Sequence, residues 1–158
     1  MHRMTRSNLH LSLAAMSVCL VLIVSCIAKP HDYSWYRGNT HAHTNNSDGQ
    51  ASPDVVAAWY IDNGYNFLCI TDTNMITAPD SIKLPENSRK DFILIAGEEI
   101  TEAVHATAMN ISTAIPLLCR GSKTDLIQCY NKATVKAGGI FIVNHPNYQW
   151  ALKADDIG

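Results

Sequence analysis

Three uninterrupted apolar runs constrain this chain most: Phe67-Leu68-Cys69-Ile70, Phe92-Ile93-Leu94-Ile95-Ala96 and Ile140-Phe141-Ile142-Val143. Runs of this length without polar alternation suit strands covered on both faces. Each stops abruptly at a polar cluster: Thr71-Asp72-Thr73-Asn74, Gly97-Glu98-Glu99 and Asn144-His145-Pro146. Helical signals lie between them. Ser52-Pro53-Asp54 is a helix start, with a capping hydroxyl, a proline in the first turn and an acid at the positive dipole end. Val55, Val56, Trp59 and Tyr60 then give one apolar face, and Asn63-Gly64 supplies the stop. Leu126, Tyr130, Ala133 and Ala137 mark an amphipathic helix over 122–137, ended by Gly138-Gly139. His105–Ile111 reads as a further strand and 77–91 as a surface loop. Alternating strands and helices predict an α/β fold with a mostly parallel sheet or barrel.

The first 28 residues stand apart. Arg3 and Arg6 precede Leu11–Val24, a stretch without charge, which is the pattern of a secretory signal. Ile23-Val24-Ser25-Cys26 resembles a bacterial lipobox, in which the cysteine receives lipid. An uncleaved anchor is the alternative, because the apolar stretch is near the lower limit for a span. Either route places the remainder, 33–158, outside the cytoplasm and tethered to a membrane.

Removing residues 1–25 takes away two of the 12 basic side chains and none of the 14 acidic ones. The basic residues that remain are scattered, which argues against a nucleic-acid duplex as partner. Of five cysteines, Cys19 and Cys26 fall in the export segment. None has CxxC spacing, so a zinc ribbon or dithiol redox motif is excluded. Cys119 and Cys129 can pair in an oxidising compartment, and Cys69 reads as a small core residue.

Chemically capable residues collect after the strands. His41 and His43, Asp72, Glu98 or Glu99, and His145 each follow a predicted strand, at the edge where parallel α/β folds build their sites. His41-Ala42-His43 turns two imidazoles to one side of an extended segment. With a carboxylate, such a pair suits Zn, Mn or Fe. The polar loop Thr44–Gly49 can return Asp48 to the same place. Glu98 and Glu99 are adjacent on extended backbone, so only one of them faces the rim. Asp72 is expected to organise its loop by accepting backbone N–H bonds.

Gly38-Asn39-Thr40-His41-Ala42-His43-Thr44 with Ser47-Asp48-Gly49, then Ile70-Thr71-Asp72, Gly97-Glu98-Glu99-Ile100-Thr101, His105 and Asn144-His145-Pro146, resemble the ordered motifs of the PHP (polymerase and histidinol phosphatase) superfamily of metal-dependent phosphoesterases. The resemblance runs from about Trp35 to Asp156. It implies a distorted (β/α)7 TIM-like barrel whose rim holds up to three divalent ions, with only the N-terminal part of the barrel present here. It also implies His41 and His43 as ligands of one metal, Glu99 as a bridge between two, and Asp48, His105 and His145 as ligands of the neighbouring ions. Where the family has a ligand histidine after Thr-Asp, this chain has Thr73, and the family's final Asp-x-His motif has no counterpart before Gly158.

The expected chemistry is hydrolysis of a small phosphate ester, a nucleotide or sugar phosphate, by metal-activated water. His43, Asp48 and His145 are the candidates for proton transfer. Two alternatives stay open. One is an impaired remnant that binds metal or ligand, suggested by Thr73; the other is a structural lipoprotein domain with incidental histidines.

Overall fold

Strand β1 (Gly38–Ala42) pairs in parallel with β2 (Phe67–Ile70), and β2 in parallel with β3 (Ile93–Thr101). These elements come from a computed structural model that describes residues 34–85 and 92–157. The export segment read over 1–28 lies outside the described residues. Strand β4 (His105–Met109) runs antiparallel to β3, and β5 (Ile140–Val143) antiparallel to β4, so the sheet has five strands in the order of the sequence.

This overturns the expected (β/α)7 TIM-like barrel, and with it the mostly parallel sheet. The molecule is a five-stranded mixed sheet curled into a half-barrel. A parallel neighbour needs a crossover of a dozen or more residues, whereas β3 and β4 are joined by Glu102-Ala103-Val104 alone, which only an antiparallel hairpin can span. Strand β3 also runs on through Gly97, Glu98 and Glu99 to Thr101. Those residues therefore lie within the strand, where a loop at its end was expected. Curling is visible in the contact of His41 on β1 with Thr107 on β4, 3.5 Å apart. Flat strands three places apart would stand about 14 Å from each other.

The helices are few. Helix α1 (Pro53–Asp62) is capped by the Ser52 hydroxyl, which accepts from the Val55 N–H. Its buried stripe is Ala57 and Ile61; Val55 and Trp59, expected on the inner face, are 58% and 54% exposed. Ala57 and Ile61 are one turn apart, and so are Val55 and Trp59, about 200° around the axis from them. The small residue lets the helix sit close to β2, and the bulky pair is left outside. Helix α2 (Lys123–Lys136) opens with a reciprocal capping box between Ser122 and Asp125 and buries Leu126, Tyr130 and Thr134. A single-turn helix, α3 (Ala154–Ile157), is tied to α2 where the Thr124 hydroxyl donates to the Asp156 carbonyl. Among the described residues no helix is long and apolar enough to cross a membrane.

Two apolar clusters hold the sheet. Ala57, Ile61, Leu68 and Ile70 pack under α1, while Ile100, Val104, Ala108, Ile111, Leu126 and Tyr130 pack under α2. Cys69 is fully buried, and burial pushes its thiol up to about 12, so it stays an inert packing residue. A disulfide joins Cys119 to Cys129, fixing the segment before α2 to the helix itself; the Cα atoms are 6.0 Å apart.

Candidate metal centre

Antiparallel pairing decides what meets at the rim. The C-terminal ends of β1, β2, β3 and β5 share one edge of the sheet, and β4, running the other way, brings its first residue, His105, to that same edge. Side chains alternate along β3. Glu99 therefore points to the concave side and Glu98 to the opposite face, where its Oε1 accepts the Ile115 N–H at 2.5 Å.

Glu99 is the centre of the site. Its carboxylate is buried, and four imidazoles approach it. Oε1 lies 3.5 Å from His41 Nε2, 3.5 Å from His105 Nδ1 and 3.1 Å from His145 Nε2, and Oε2 lies 3.4 Å from His43 Nε2. The Asn144 amide donates to Oε1 at 3.0 Å, and the Thr101 hydroxyl to Oε2 at 3.3 Å. Ligand atoms of His41, Glu99 and His145 all lie within 4.8 Å of one another. Donors about 2.0–2.2 Å from a shared tetrahedral Zn ion stand about 3.4 Å apart, so the widest pair would have to close by about 1 Å.

Burial by itself would raise the Glu99 carboxyl. The Asn144 hydrogen bond and the charges of His41, His105 and His43 outweigh it and hold the carboxyl below its usual range. His41 is displaced downward, chiefly by burial and further by His43 and His145, against the opposing pull of Glu99. A charged imidazolium is thus disfavoured at His41, although it faces the carboxylate.

The hydrogen-bond partners assign the tautomers of two rings. His41 Nδ1 lies 2.8 Å from Thr71 Oγ1, whose own hydrogen is directed at the Ala42 carbonyl. In that arrangement Thr71 accepts from Nδ1–H, which leaves a lone pair on Nε2 facing Glu99. His43 Nδ1 lies 2.9 Å from Asp48 Oδ1, and a carboxylate only accepts, so again the lone pair is on Nε2. Nε2 lone pairs of two imidazoles facing one carboxylate are an arrangement that a cation between them would satisfy. A second ring nitrogen donating to a hydroxyl or carboxylate is also the usual support of a metal-binding histidine. The donor set fits a divalent ion.

The candidates divide accordingly. His41, His43, Glu99, His105 and His145 are brought together. Asp48 is one step out, with its exposed carboxylate on the far nitrogen of His43 and accepting the Thr73 hydroxyl at 3.2 Å. Its loop is closed by Gly49, whose N–H donates to the Thr44 carbonyl at 2.9 Å; a Cβ there would lie 2.7 Å from His43 backbone. Thr73 pairs with Glu99 through a single parallel bridge and offers the site only a hydroxyl. Asp72 is fully buried and organises the loop. It accepts the Thr44 N–H and hydroxyl at 2.7 Å each and the Ser47 hydroxyl at 2.8 Å. Against the cost of its burial, the Thr77, Thr44 and Ser47 hydrogen bonds hold its carboxyl below the usual range.

Sequence reasoning gave no role to Asn144, Thr71 or Thr107. Asn144 is buried, donating to Glu99 and accepting the Thr107 hydroxyl at 3.1 Å. A polar residue between a buried strand and a histidine is the one signal that marks it beforehand. No protein-family model matches this sequence, and no curated protein matches it either.

Proposed function

We propose that this protein is a metal-dependent phosphoesterase that hydrolyses a small phosphate ester, with water as the nucleophile. The observation that carries the reading is the buried Glu99 carboxylate with four imidazoles on it, His41, His105 and His145 facing Oε1 and His43 facing Oε2. His41, Glu99 and His145 would hold the first divalent ion (Mn, Zn or Fe), and His43 and His105 would extend the set toward a neighbour. Such an ion supplies hydroxide from bound water near neutral pH and offsets the charge of the phosphate oxygens.

The chain's own residues do the rest. Asp48 orients His43 by accepting its Nδ1–H, and the His43–Asp48 pair stands beside the ions where a proton must reach the leaving alkoxide. His145, exposed at the mouth of the site, faces Glu99 through Nε2 from the other side. Asp72 keeps the loop carrying Asp48 in position without touching substrate. Nucleotide and sugar phosphates are the substrate class that the resemblance to PHP proteins suggests. Export by the N-terminal segment, with tethering by lipid on Cys26 or by an uncleaved anchor, belongs to the same proposal. The Cys119–Cys129 disulfide supports it, since such bonds persist in oxidising compartments.

Thr73 favours a second reading, a protein that binds metal or ligand without turnover. Its hydroxyl goes to Asp48, and it adds no nitrogen donor to the site. Purified protein loaded with manganese and assayed with p-nitrophenyl phosphate separates the two. Hydrolysis that His43→Ala lowers at least a hundredfold supports the enzyme. Stoichiometric metal that Glu99→Gln abolishes, without turnover by the wild type, supports the second reading. Protein that takes up no metal overturns both.

A further inference from the structure

The rim carries a feature that the cation-binding residues do not use. A cavity of about 240 Å³ opens beside them, lined among others by Glu102, His105, His145, Pro146, Tyr148 and Leu152. His105 and His145 belong to both, so cavity and imidazole cluster are continuous. Resting on the phosphoesterase reading, we propose that this cavity receives the leaving group of the substrate, and that this group carries an uncharged planar ring stacked on Tyr148.

Tyr148 packs against the two shared imidazoles, with its ring centroid 5.4 Å from that of His145 and 6.1 Å from that of His105, and it remains 54% exposed. An aromatic surface this open, beside the reacting centre, suits a ring better than a flexible polar chain. The wall behind it is built in advance. Tyr148 N–H donates to the His145 carbonyl at 2.8 Å, Ala151 N–H to the Tyr148 carbonyl at 3.0 Å and Leu152 N–H to the Pro146 carbonyl at 3.1 Å. Lys123 on α2 reaches across to the Ala151 carbonyl. Two non-glycine residues of this short segment, His145 and Gln149, have positive φ, at 20° and 50°. Strained backbone held by surrounding bonds is characteristic of ligand-binding walls.

Charge and size narrow the occupant. Among the described residues the lining includes one carboxylate, Glu102, which accepts the Tyr130 hydroxyl, and no lysine or arginine. A second phosphate or an acidic leaving group would meet the Glu102 carboxylate there, and the Lys123 ammonium at the wall is directed at the Ala151 carbonyl. The volume is below the range of about 300 Å³ and upward typical of drug-sized ligands, which leaves room for one ring system.

The test uses adenosine and ribose as metal-free probes, followed by ligand-observed NMR, against wild type, Tyr148→Ala and Tyr148→Phe. The expected result is binding of adenosine and not ribose, weakened about tenfold in Tyr148→Ala and retained in Tyr148→Phe, which keeps the ring and controls for folding. With manganese, Tyr148→Ala should raise KM for adenosine monophosphate about tenfold more than it raises KM for glycerol phosphate. Equal binding of the two probes, or adenosine binding indifferent to Tyr148→Ala, overturns the cavity assignment even if esters are hydrolysed. Tyr148-dependent adenosine binding without hydrolysis of either ester keeps the ring site and removes the phosphoesterase.

Discussion

Glu98 and Glu99 are neighbours in the chain with opposite fates. Glu98 is buried on the convex side with Oε2 unpartnered, and burial pushes its carboxyl above the ordinary 4.5 despite the Ile115 N–H. A carboxyl raised on folding stabilises the fold fully below its unfolded value and loses that contribution as pH rises. Glu98→Gln keeps an acceptor for Ile115 and cannot ionise. It should therefore be more stable than wild type by about 1–3 kcal/mol at pH 8 and nearly equal to it below pH 4.5, as measured by denaturant titration at both pH values. On the concave side, Thr71→Val removes the acceptor that holds the His41 tautomer. Metal affinity should fall about 10–100-fold with the fold intact, read by zinc titration and circular dichroism. That only one of the two glutamates could face the rim was legible from strand alternation. The parts played by Thr71, Thr107 and Asn144 were not, because they arise from which strands lie side by side, and one sequence does not state that.

At the scale of elements, starts and stops were plainer than faces and partners. Ser52 and Ser122 cap their helices as their types suggest, since a side-chain oxygen beside free N–H groups is a local matter. Which side of α1 is buried depends on how closely the helix approaches β2, and Ala57 allows an approach that Trp59 would prevent. The β3–β4 hairpin was missed because Glu102-Ala103-Val104 carries none of the glycine or asparagine that usually marks a tight turn. The Cys119–Cys129 bond closes a short loop onto α2, so its reduction should cost about 2–3 kcal/mol. Thermal unfolding with and without reductant measures this, and Cys119→Ser/Cys129→Ser should be indifferent to reductant.

For the whole molecule, the rim ties the sheet across its curl: His41 comes from β1, Glu99 from β3, His105 from β4 and His145 from the end of β5. A cation held there links segments far apart in the chain and is absent from the unfolded state. At a free concentration one hundred times its Kd it should add about 2.7 kcal/mol of stability, which chelation removes and Glu99→Gln never gains; calorimetry with manganese and with EDTA decides. The barrel expectation failed at this scale for a physical reason. Apolar runs are silent on the direction of a strand's neighbour, and the double coverage expected from them holds for Leu68-Cys69-Ile70 but not for β5, where Ile140 is 56% exposed and no residue is buried.

The hairpin has a temporal consequence as well. Glu99 and His105 lie six positions apart, joined by a turn, so they meet on the microsecond scale of local pairing. His41 and His145 arrive only once most of the polypeptide between them has been brought together. If the rim holds a cation as proposed, Glu99 and His105 would be in place early, and an ion present during refolding would be enclosed only when the histidines from the distant segments arrive.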